Sequence, residues 1–247
     1  MLDNSMISQL CQGWKDDNYI NWQNVTKDQL NSWCIRIENA INRTINEVLE
    51  INSYKCKVDH NKIVLMDGET FGKFAVILWD APNDLALTDI VKSNFDALKI
   101  NIYYEGIDKP ADTQDYDKEG CRKDYSSIQG LSYKEYQIIN KMSADGRLGL
   151  HLLCHEIFHT LASPCYVEEL RTKNSMGDEA TNEFIARLVS KENNLGCTTT
   201  DEMSAILVTQ AQHNIYGCYG KALHEEKFCS KEPDDIKKII KNYLSIK

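Results

Sequence analysis

Apolar residues recur at helical spacing through Leu30, Trp33, Ile37, Ile41, Ile45 and Val48. They mark one face of a long amphipathic helix. Thr26-Lys27-Asp28-Gln29 directly precedes the stripe and reads as a capping box, with Thr26 as the cap and Gln29 three residues on. The period then shortens. Two apolar runs, 62–66 and 74–79, flank the turn signal Asp67-Gly68 and predict a β-hairpin. A shorter helix is expected over 88–98 and a third strand over 100–104. The stretch 105–130 is long, polar and turn-rich, a surface excursion or a substrate-selecting lid. Ser132 with Glu135 predicts a further helix start, running to about residue 142. Helical spacing returns at Leu150, Leu153, Cys154, Ile157 and Leu161, inside a proline-free segment over 147–162 that Ser163-Pro164 ends. Gly177-Asp178 opens another helix carrying Phe184, Leu188 and Val189. A last one is expected over about 200–216, with Met203, Ile206, Leu207 and Ala211 on its apolar side. Helices, then strands, then helices indicate an α+β chain.

Composition narrows the class. The 247 residues carry no Pro-rich or Ser/Gly-rich linker, so a single domain over 1–247 is expected. It would comprise an N-terminal helical region to about residue 60, a sheet and helix over about 61–162, and a helical C-terminal part over about 163–247. The net charge of −9 argues against nucleic acid or an anionic membrane as partner. No apolar stretch approaches a membrane span, and the N-terminus lacks a basic region followed by an apolar core. The expected setting is therefore the cytoplasm, or export by a leaderless route. Nine cysteines form no CxxC pair. Cys34 and Cys154 fall on apolar stripes and read as small core residues in a reducing compartment. Cys197, Cys218 and Cys229 could hold a bridge if the protein is exported.

The chemistry lies in His155-Glu156-Ile157-Phe158-His159. Positions four apart share a helix face, so both imidazoles can reach one metal ion. Glu156 is rotated about 100° from His155, outside the ligand set but close to a reacting water. Zinc hydrolysis needs that set: protein ligands, an open position for water, and a carboxylate that takes the water's proton. The alternative is a helix that happens to carry two histidines. Composition gives the motif a chance of about 1 % in a chain of this kind, which favours the metal reading. His151, one turn back on the same face, reads as a packing or supporting residue.

A third ligand is expected on the following helix. Glu179 comes after nineteen intervening residues, which allows a turn and an antiparallel return. Glu183 lies one turn further, where it could accept the other ring N–H of a ligating histidine. Asp178 with Asn182 forms a parallel pair, so Asp178 or Glu183 remains an alternative third ligand. Glu168 and Glu169 follow the Ser163-Pro164 break too soon and are expected to face solvent.

HExxH, this gap, and an Asp-Glu pair with another acid four residues on resemble the gluzincin (thermolysin-like) zinc peptidases, over about residues 148–189. The resemblance implies a zincin-like metallopeptidase domain, with a twisted mixed sheet backed by the HExxH helix and a mostly helical C-terminal part. It implies His155, His159 and Glu179 as ligands of one zinc ion, Glu156 as general base and Glu183 as support to the first histidine. In that family an extended substrate pairs with the sheet's edge strand, and a C-terminal His or Tyr stabilises the oxyanion. His213 and Tyr216 are the candidates for that role here, with Tyr219 and His224 as alternatives.

The function expected is a zinc-dependent endopeptidase acting on a protein or peptide substrate. Selectivity for one protein, as in an intracellular toxin or effector, would guard a leaderless protease against self-damage. The alternatives are a zincin-fold binding module with a structural or vestigial metal site, and a zinc hydrolase of non-peptide amides.

Overall fold

The computed structural model describes residues 1–12, 20–66, 130–133, 136–141, 149–173, 177–196, 223 and 226–246. The hairpin turn at Asp67-Gly68, the elements expected over 74–79, 88–98, 100–104 and 200–216, and most of the 105–130 stretch lie outside them.

Helix α1 spans Asn4–Gln12 and α2 spans Lys27–Arg43. The start of α2 is the expected capping box: Thr26 Oγ1 accepts from the Gln29 amide at 3.2 Å, and Gln29 Oε1 accepts from the Thr26 amide at 2.9 Å. Leu30, Cys34, Ile37, Ala40 and Ile41 form its buried face. Past Arg43 the helix widens into one π turn, Thr44–Val48, closed by the Leu49 amide on Thr44 O.

Strand β1 is Ile63–Met66, β2 is Gly130–Tyr133 and β3 is Tyr136–Asn140. The sheet order is β1-β3-β2. β1 runs parallel to β3 with Ile63 opposite Gln137, and β2 runs antiparallel to β3 with Tyr133 opposite Tyr136. The helix expected to start at Ser132 is therefore replaced by a pair of strands. Tyr136-Gln-Ile-Ile is rich in β-branched and aromatic residues, and pairing on both sides outweighs the local capping signal. Ser132 lies within β2. Its hydroxyl lies 2.7 Å from the Glu156 carbonyl and 3.0 Å from Glu156 Oε2.

Helix α3, His151–Leu161, packs against β2 and β3 on one side and against α5, Gly177–Asn193, on the other. Between them Pro164 opens α4, Pro164–Lys173. The Ser163-Pro164 step ends one helix and starts the next, because proline suits the first helical turn. Glu168 and Glu169 on α4 are exposed. The final described helix, α6, is Pro233–Tyr243.

Helix α5 is the centre of the fold. Ala180, Phe184, Ile185, Ala186, Leu188 and Val189 are buried, and Phe184 stacks on Phe228 at 5.1 Å. Its C-terminal carbonyls are met by α2: Arg36 Nη2 donates to Asn194 O at 2.6 Å and Arg43 Nη2 to Glu192 O at 2.9 Å. The chain leaving α5 then caps α3, because the amides of Leu150 and His151 donate to Leu195 O and Gly196 O. These bonds fix the α3–α5 register on which the site depends. No helix of the described residues is long and apolar enough to cross a membrane.

Candidate metal centre

The apolar side of α3 is buried as its spacing predicts, but the helix buries its polar side as well. His151, His155 and Glu156 are each at most 3 % exposed. Facing them on α5 are Asp178, Asn182, Glu183, Arg187 and Ser190, all buried. Burial of so many polar groups is affordable only if each finds a partner.

Most do. Glu183 Oε2 lies 2.9 Å from His155 Nδ1 and 3.2 Å from His151 Nε2, and Glu183 Oε1 accepts from Arg187 Nε at 2.7 Å. His151 Nδ1 meets Ser190 Oγ at 3.0 Å. Arg187 Nη1 also donates to Leu10 O at 2.7 Å, which ties α1 to the same network. Asn182 Nδ2 donates to the His155 carbonyl at 3.1 Å. Asp178 accepts from Arg171 Nη2 at 2.7 Å and from the Tyr243 hydroxyl at 2.8 Å.

Two groups of side chains among the described residues could hold a metal ion: His151, His155 and Glu183, and His155, His159 and Glu179. They differ in what is already satisfied. In the first, Glu183 Oε2 lies within hydrogen-bond reach of two ring nitrogens, and the charge of Arg187 neutralises the carboxylate. A cation there would break those bonds and meet the guanidinium.

The second group is different. His155 Nε2 and His159 Nε2 stand 3.2 Å apart, and each lies 3.5 Å from a Glu179 oxygen. Glu183 favours the Nδ1–H tautomer of His155, and Asp178 Oδ2, 4.0 Å from His159 Nδ1, favours the same tautomer there. Two nitrogen lone pairs and a carboxylate then converge on one point. Glu179 Oε2 is buried and accepts no hydrogen bond. A buried carboxylate oxygen that accepts no hydrogen bond, set beside two ring nitrogens in mutual contact, is an arrangement that a cation resolves. Four-coordinate nitrogen and oxygen ligands about 2.0–2.1 Å from a metal lie about 3.3–3.4 Å from one another, close to the spacing found. The residues fit a metal of that size.

The electrostatics agree. Burial disfavours charge on His155 and His159, yet the neighbouring carboxylates outweigh it and raise both pKa values, Glu179 and Glu183 at His155, Glu179 and Asp178 at His159. Burial also opposes ionisation of Glu179, but His159 and His155 hold its pKa well below the usual carboxylate range. Burial opposes ionisation of Glu183 too, and His151 and Arg187 likewise hold it low. The field at this point favours positive charge, whether proton or metal.

Glu156 lies on the sheet side of α3. Burial raises its pKa, against the lowering influence of His155 and His159. A side chain at Gly130 would stand 3.0 Å from Glu156 Oε1, so any larger residue there requires the Glu156 carboxyl to shift.

Of the expected site residues, the structure brings His155, His159 and Glu179 together and sets Glu183 behind His155. Asp178 does not join the converging atoms but sits behind His159. His213, Tyr216, Tyr219 and His224 lie outside the described residues. Sequence reasoning missed Ser132, Arg171 and Tyr243, whose contacts follow from the packing of distant segments. Arg187 was more accessible, since an acid and a base four apart on a helix signal a pair. No protein-family model matches the chain, and neither curated proteins nor solved structures yield a similar one.

Proposed function

We propose that the protein is a zinc-dependent endopeptidase of the zincin kind, with His155, His159 and Glu179 holding one zinc ion and Glu156 acting as general base. The observation that carries this reading is the convergence of both Nε2 atoms on Glu179, whose Oε2 is buried without a hydrogen bond. Two imidazoles and a carboxylate are a donor set zinc accepts with a position to spare. Zinc bound there supplies a Lewis acid that acidifies water and polarises a carbonyl.

The chain's own residues do the rest. Glu156, its proton affinity raised by burial, takes a proton from water and returns it to the leaving amine. Ser132 holds that carboxylate against the sheet. Glu183 keeps His155 in the tautomer that presents Nε2. β2 ends the sheet order of the described strands and carries Ser132 beside Glu156, so an extended peptide pairing with β2 would pass the base. A protein or peptide substrate fits that placement, and a selective toxin or effector role is an extension of it.

A second reading, a binding module with a structural metal site, draws on the burial of Glu156, which is 2 % exposed. Glu156→Gln separates the two. Under the peptidase reading the variant keeps its zinc and fold but loses most turnover, measured as new protein termini in a treated lysate. Cleavage by the wild type that survives the substitution undiminished removes Glu156 from the role of base. Absence of any cleavage by the zinc-loaded wild type favours the structural site.

A further inference from the structure

We infer that Tyr243 is a positioning residue for the metal centre: through Asp178 it steadies His159, so helix α6 sets how tightly the site holds a metal. The inference rests on the metal reading above and adds a residue that local sequence spacing does not reach.

Asp178 is 1 % exposed and Tyr243 is fully buried. The Tyr243 hydroxyl donates to Asp178 Oδ1 at 2.8 Å, while Arg171 Nε and Nη2 donate to Oδ2 at 3.1 and 2.7 Å. Three donors on two oxygens fix the plane of the carboxylate. That leaves its charge directed at His159 Nδ1, 4.0 Å from Oδ2. A carboxylate held there favours the Nδ1–H tautomer and turns the Nε2 lone pair towards His155 and Glu179. Glu183 has the corresponding place behind His155. The difference is the source of support. Glu183 is braced by Arg187 of its own helix, whereas Asp178 is braced from α4 and α6.

Tyr243 has a second hold on the centre. Its carbonyl accepts from the Ser163 amide at 2.7 Å, two residues past the end of α3. One residue therefore grips the C-terminal end of the helix that carries His159 and the N-terminal turn of the helix that carries Glu179. Arg171 alone would be a weaker brace, because its side chain is 42 % exposed and screened by water. Packing needs only the Tyr243 ring. The hydroxyl is there for Asp178, and removing it leaves a buried carboxylate oxygen short of that donor.

The test is Tyr243→Phe, which keeps the ring and removes one O–H. Zinc affinity is measured by competition with a chelator, and ligand geometry by the visible spectrum of the cobalt-substituted protein. Ile236→Val, a core change on the same helix, is the control. Tyr243→Phe should weaken zinc about tenfold and shift the cobalt bands, as loss of an outer partner does. Ile236→Val should lower thermal stability and change neither. On an Asp178→Asn background, Tyr243→Phe should add little, because the two act through one carboxylate. The inference is overturned if Tyr243→Phe binds zinc and absorbs like the wild type, or if its effect adds fully to that of Asp178→Asn. A wild-type protein that takes up no metal overturns the underlying zinc reading instead, and this inference with it.

Discussion

Glu179 and Glu183 stand one turn apart on α5 and approach opposite nitrogens of His155, Nε2 at 3.5 Å and Nδ1 at 2.9 Å. Their substitutions should therefore differ in kind. Glu179→Ala removes one of the three converging groups and should largely abolish zinc uptake. Glu183→Ala leaves all three and should weaken zinc by roughly 10–100-fold. Equilibrium dialysis against buffered zinc distinguishes the two, and the reverse order would exchange their roles. The motif and the gap before Glu179 were legible in the sequence because helix periodicity is local: one turn places His155 beside His159, and another places Glu179 beside Glu183. Tyr243 was not legible. It meets Asp178 across 65 positions, through packing that no local spacing encodes.

At the scale of elements, α5 holds the site by its buried polar side. Arg187 is the member that ties the site to α1, pairing with Glu183 on its own helix and donating to Leu10 O. Arg187→Met should destabilise the fold by about 3–5 kcal/mol, because it leaves the Glu183 charge buried without its cation. Urea unfolding measures this, and a loss under about 1 kcal/mol would show the pair to be dispensable. Strand β2 bears on the site in another way. Gly130→Ala would set a methyl group 3.0 Å from Glu156 Oε1 and displace the carboxyl. Turnover should fall by roughly 10–100-fold with zinc content unchanged. Element boundaries were legible where the signal is a cap, as at Thr26 and Gln29. The same residue logic failed for the helix expected from Ser132, because β1 and the underside of α3 select the strands β2 and β3 there. Local chemistry proposes an element, and the neighbouring elements decide it.

For the molecule as a whole, a metal that binds only the folded chain must stabilise it. Zinc at about 100 times its dissociation constant should add about 2.7 kcal/mol, seen as a rise in melting temperature that a chelator reverses. Among the described residues, Cys34, Cys56 and Cys154 add no competing site of their own: they are free thiols, and burial pushes the first two up to about 12 and the third well above its ordinary value. They stay protonated and poor ligands at neutral pH. Metal content per chain, measured after zinc loading and gel filtration, therefore tests the central claim most directly. The wild type should carry about one zinc, and His155→Ala and His159→Ala, each still folded by circular dichroism, should carry close to none. A folded wild type without zinc, or either variant with a full complement, would contradict the assignment.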